Sequence, residues 1–180
     1  MMPVTRRLPP SAFGPLRRTK AVRLNPLPVA ANCLGTLLVQ TALPLYLPQA
    51  GVLDFPLLAV VYLALSRRAP LAGMAIGMAV GLAQDGLTSG PIGLFGILKT
   101  SAGYAAGAMG SYIEIKFPGA RSVLTALFFL AHQVIFWFLA GTLMGGALNA
   151  DLPRTLILAV VHAGLALPLY QMFDRMTPVA

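Results

Sequence analysis

The chain has 180 residues, 57% hydrophobic and only 10% charged, far below the roughly 25% charged share of a soluble globular domain, so it reads as a membrane protein. Its net charge of +8 does not argue for nucleic-acid binding, because the basic residues gather in the N-terminal stretch and in short connections between apolar runs, where membrane topology puts them. The single cysteine, Cys33, lies in an apolar run without a partner and supports neither a disulfide framework nor a thiolate metal site.

Residues 1–25 form a basic, proline-rich tail, with Arg6, Arg7, Arg17, Arg18, Lys20 and Arg23, no acidic residue, and prolines at Pro3, Pro9, Pro10 and Pro15. This composition predicts a disordered cytoplasmic segment. The apolar run that follows is too long for the core of a signal peptide and lacks a small-residue cleavage site, so it is read as a retained first span.

From 26 to 175 the chain offers one all-α integral membrane domain. Six apolar segments, at about 27–47, 54–66, 70–87, 91–113, 122–148 and 153–173, compare with the roughly 20 residues needed to cross a hydrocarbon core. Pro70, Pro91 and Pro153 stand at segment starts, where a missing N–H does little harm, while Pro44 and Pro168 fall inside spans and predict kinks. The second segment has only about 13 residues before Arg67 and Arg68 and is expected to thin the bilayer locally. With the N-terminus inside, eleven of the thirteen basic residues are cytoplasmic, Arg154 alone is external and Lys99 lies within a span, as the positive-inside rule requires. Both termini are then cytoplasmic, and the external connections 49–53, 88–90 and 149–152 leave no room for an external domain.

In the third segment Gly73, Gly77, Gly81 and Asp85 recur every four residues, a slanted groove about 18 Å long on a helix. Gly93 and Gly96, then Gly103 and Gly107, continue the theme in the fourth segment, and Ala31 with Gly35 makes one more small pair in the first. Small residues let helices approach closely in lipid; the track packs the protein's own helices or receives a partner's transmembrane helix. Asp85 and Lys99 are ionisable groups well inside spans and need an offset for their desolvation. A helical hairpin turning near Ser89 and Gly90 brings them within roughly 6 Å in depth, so the expected arrangement is an intramembrane ion pair; ion or substrate binding and snorkelling are the alternatives.

His132 and His162 fall about ten residues into their spans, where hydrogen bonds across helices to Gln133, Asn32 or Gln40 are expected. No third ligand at matching depth supports a metal. No phosphate loop, nucleophile elbow or carboxylate pair appears, so no catalytic residue, cofactor or enzyme activity is assigned.

Residues 54–107, "DFPLLAVVYLALSRRAPLAGMAIGMAVGLAQDGLTSGPIGLFGILKTSAGYAAG", resemble the MreD family of bacterial rod shape-determining proteins. An aspartate opens a short second span, a basic stop follows, then a glycine-spaced span ends in G-L-x-x-D, and a short turn leads into P-x-G at Pro91 to Gly93. The resemblance implies a non-catalytic scaffold of the inner membrane. It binds the single-span protein MreC within the elongation machinery of peptidoglycan synthesis, alongside RodA, its penicillin-binding transpeptidase and MreB. It also implies a fold similar to the substrate-binding subunits of energy-coupling-factor transporters. The basic tail and Lys99 match no family motif; the tail is expected to meet anionic lipid or filament proteins. A small-molecule uptake subunit is the alternative function, weakened by external loops too short to form a lid.

Overall fold

The computed structural model describes residues 20–88, 90–112, 117–144 and 151–176. Among these residues the chain forms α1 (Pro26–Tyr46), a 3-10 helix (Pro48–Val52), α2 (Phe55–Arg67), α3 (Pro70–Leu87), α4 (Leu94–Tyr112), α5 (Pro118–Met144) and α6 (Leu152–Met176), with no strand. Three helical stretches are long and apolar enough to cross a membrane: α1, Gly119–Thr142 within α5, and α6. Helices α3 and α4 carry several glycines and the buried polar residues Gln84, Asp85 and Lys99.

Local chemistry sets the helix ends. The Asn25 side chain accepts a hydrogen bond from Leu27 N ahead of α1, and Asp54 does the same from Leu57 N ahead of α2, which satisfies N–H groups that the first turn leaves free. Arg68 ends α2 in the left-handed region (φ 54°), its N–H bonded to Ala64 O. Helix α4 starts at Leu94 rather than at Pro91, and α5 starts at Pro118 rather than at 122, its expected end at 148 lying outside the described residues. Residues 145–150 lie outside the described set, as do 1–19, Ser89, 113–116 and 177–180. Both α1 and α6 remain helical through Pro44 and Pro168. The expected tail is shorter than 25 residues: Val22 N bonds Arg67 O, and Leu24 is buried beside Tyr62 and Phe173.

Helix α2 is the centre of the bundle. Every residue from Pro56 to Leu65 is buried, and α1, α3, α4, α5 and α6 all pack on it. A helix that is apolar all round has this fate. It presents no outer face, so the expectation that this short segment thins a bilayer is replaced by enclosure within its neighbours. The outer surface is apolar instead: Leu27, Leu38 and Leu45 on α1, Phe138 on α5 and Val160 on α6 are exposed, whereas Asn32, Gln84, Asp85, Lys99, His132 and His162 are buried. Apolar surface outside and polar groups inside suit a lipid solvent, which offers buried polar atoms no partner.

The glycine track closes α3 onto α4. Gly73 faces Gly103, Gly77 lies against the backbone carbonyl of Lys99, and Gly81 lies against Phe95 and Gly96. Gly107 meets Ala69, with its carbonyl oxygen 2.8 Å from where a Cβ would stand, and Gly110 meets Leu65 of α2. Of the two roles open to the track, the structure assigns it internal packing. A Cβ at Gly77 would overlap a carbonyl oxygen that cannot move without breaking its helix. Gly77→Ala is therefore expected to cost about 1–3 kcal/mol. Gly35→Ala, where nothing lies within 4 Å, is expected to leave stability unchanged or raise it; thermal unfolding of both variants in detergent checks the contrast.

Candidate functional site

At the N-terminus of α2 four polar side chains from four helices converge. Lys99 Nζ donates to Asp54 Oδ2 at 2.7 Å. The lysine side chain is fully buried and that of the aspartate is 11% exposed. Asp54 Oδ1 accepts from Leu57 N at 3.0 Å, so one carboxylate caps α2 and neutralises a cation from α4. The ammonium also sits 4.8 Å from the Phe95 ring centroid, a favourable position for a cation over an aromatic face.

The expected pairing of Asp85 with Lys99 is thereby corrected. Both oxygens of Asp85 are taken by the start of α4: Oδ2 accepts from Gly93 N (3.0 Å) and Gly96 N (2.9 Å), and Oδ1 accepts from Phe95 N (2.9 Å). A carboxylate at a helix N-terminus meets orphan N–H groups and the positive end of the helix dipole. Gly93 takes part because its φ of 98°, which side chains disfavour, turns its N–H toward Asp85. Pro91 is one step further out, its carbonyl accepting from Leu94 N. Asp85, Pro91 and Gly93 thus form one structural unit that fastens the α3–α4 turn.

The histidines take different parts from those expected. His162 Nε2 accepts from Asp54 N at 3.0 Å and Nδ1 lies 2.7 Å from Leu158 O. Accepting at Nε2 requires a lone pair there, so the ring is neutral and Nδ1–H donates to the carbonyl. Its face stacks on Phe129, with centroids 3.9 Å apart. His132 Nε2 is 3.6 Å from Asp54 Oδ2, too long for a hydrogen bond. Among the described residues neither of its nitrogens has a hydrogen-bond partner. Gln133, Asn32 and Gln40 bond neither ring; Gln40 Oε1 instead accepts from Phe55 N, and the Asn32 side-chain amide is buried with no hydrogen-bond partner among the described residues.

Above this cluster lies a cavity of about 390 Å³. Its origin is the shortness of α2. Because Asp54 N meets His162, about ten residues into α6, the central helix begins about 15 Å below the start of α6, and among the described residues no α-helix fills the level directly above it. Asp54, Gln84 and His132 line the cavity with Phe95, Phe129, Phe136 and Trp137; exposed Val52, Asp151 and Arg154 belong to its outer part. A second cavity of about 290 Å³, between α1 and α3, shares Gln40, Gly51 and Gln84 with it. Among the described residues no group of three His, Cys, Asp or Glu side chains could hold a metal.

The role of Asp54 carried a signal in the chain. Asp54 lies about 13 residues before the basic end of α2, and Lys99 lies about 13 residues before the end of α4. Measured from those ends, both stand about 20 Å deep. Measured from the opposite turn, Asp54 looks like a surface residue. No protein-family model, curated protein or solved structure matches the chain.

Two outcomes test this geometry. Lys99→Met leaves a buried carboxylate without its counter-charge and is expected to cost about 3–5 kcal/mol. Adding Asp54→Asn, which keeps an oxygen for Leu57 N, is expected to restore most of that loss in thermal unfolding. Asp85→Ala removes the acceptor for three N–H groups of the α4 start and is expected to cost about 2 kcal/mol, the upper end for a helix cap. Amide exchange at Phe95 and Gly96 should accelerate in the same variant.

Proposed function

We propose that the chain is a six-span scaffold of the bacterial inner membrane with both termini cytoplasmic. In this reading it belongs to the MreD family, binds MreC and acts without catalysis in the cell-elongation machinery of peptidoglycan synthesis. RodA with its transpeptidase, and MreB at the cytoplasmic face, are the further partners it would meet. The fold would be that of the substrate-binding subunits of energy-coupling-factor transporters, used for assembly.

The observation that carries the reading is where the residues of the resembling stretch are used. Asp54, Gly73, Gly77, Gly81, Asp85, Gly93, Gly103 and Gly107 all serve to lock α2, α3 and α4 to one another. This stretch therefore builds a rigid core, a property suited to a scaffold. Small residues at a step of four are exposed on α3 (Ala75, Ala79 and Ala83) and on α1 (Ala31 and Gly35), and nothing lies within 4 Å of Gly35. A single transmembrane helix approaching α1 would find there the close backbone approach that stabilises helix pairs in lipid.

The test is recovery of a single-span partner with the tagged protein from native membranes. Gly35→Leu is expected to abolish recovery with the melting temperature unchanged, whereas Gly77→Leu is expected to lose the fold itself. A wild-type protein that recovers no single-span partner would overturn the proposal.

A further inference from the structure

We infer that the cavity above Asp54 is a binding site for a small, uncharged, planar molecule that carries both a hydrogen-bond donor and an acceptor, such as a cyclic amide or urea. The inference goes beyond the scaffold reading, which requires no ligand, and it does not depend on transport.

Size permits it. A volume of about 390 Å³ falls within the range of small-molecule pockets, about 300–1,000 Å³. The recognition chemistry is left open in a specific way. Gln84 and His132 are each at least 95% buried and line the cavity, yet among the described residues Gln84 Oε1 and both ring nitrogens of His132 have no hydrogen-bond partner. Burying such atoms unpaired is costly. These atoms have almost no surface open to the cavity, so the two side chains turn toward an occupant, which by offering a donor to Gln84 Oε1 and an acceptor to the N–H of a neutral His132 removes that cost.

Charge and shape narrow the class. At the base of the cavity Asp54 and Lys99 already neutralise each other, and the charged Asp151 and Arg154 belong to its exposed outer part, so a further net charge seated at the base would be desolvated without a counter-ion. The walls are rings: Phe95 and Phe136 stack on each other at 6.2 Å, Phe129 lies on His162, and Trp137 adds a fourth aromatic side chain. Flat faces of this kind favour a planar guest.

The chain's one tryptophan is the cavity residue Trp137, so its fluorescence reads occupancy in the purified full-length protein in nanodiscs. Uracil and 2-imidazolidinone serve as the uncharged probes; benzoate and benzamidinium are the planar charged controls. The expected result is a saturable fluorescence change with at least one uncharged probe and none with either ion. Gln84→Leu, of similar shape, is expected to weaken that binding by about tenfold or more. In the wild-type protein the probe should also move the ring-nitrogen resonances of His132 and leave those of fully bonded His162 in place, a readout that needs no variant to fold. Only linear quenching, equal response to the ions, undiminished binding by folded Gln84→Leu, or an unmoved His132 would leave a water-filled cavity and overturn the inference. Partner recovery is measured separately, so the scaffold reading stands or falls on its own result.

Discussion

The bond between Lys99 and Asp54 is the constraint around which the bundle is organised. Taking an ammonium and a carboxylate out of water costs several kcal/mol each, and their attraction repays this only when the geometry is good and the remaining valences are used. Here the contact is 2.7 Å, the second carboxylate oxygen caps α2, and the ammonium faces the Phe95 ring. The cation belongs to α4 and the anion to the residue that starts α2. The pair therefore sets the level at which the central helix begins.

That level explains both the enclosure of α2 and the space above it. A helix of 13 residues spans about 20 Å, less than its neighbours, and its low end is held near Arg67 and Arg68, where Val22 bonds Arg67 O. Its upper end consequently stops inside the bundle. His162 of α6 accepts the Asp54 N–H there, and the missing turns become a cavity with polar groups at its base.

At the opposite end a second polar set ties α5 and α6, which the ion pair does not join, to α2. Asp174 of α6 accepts from Tyr62 Oη at 2.7 Å and from Arg121 Nη1 at 3.1 Å, while the hydroxyls of Thr125 and Tyr170 lie 2.7 Å apart. Helices α2, α5 and α6 are thus tied near the basic end, and α2 with α4 near the cavity. Between the two ties the contacts are apolar or glycine-mediated, with α3 and α4 at near backbone contact. The inside is thus firmly joined, under an outer surface of exposed Leu, Val and Phe that suits a lipid solvent.

The chain alone determined the helical class, the positions of the helices to within a few residues and the alternation of basic ends, because hydrophobic run length, proline placement and charge are local properties. It also marked the glycine track and the two charges, Asp85 and Lys99, set within apolar segments. It left open which face the glycines meet and which carboxylate answers Lys99, since Asp54 and Asp85 stand at similar depth on different helices. Only the packing of α2 between α3 and α4 decides that, by bringing Asp54 to the ammonium and spending both oxygens of Asp85 on the N–H groups that begin α4. The cavity likewise belongs to the tertiary structure, because an empty level above a short helix exists only when longer helices surround it.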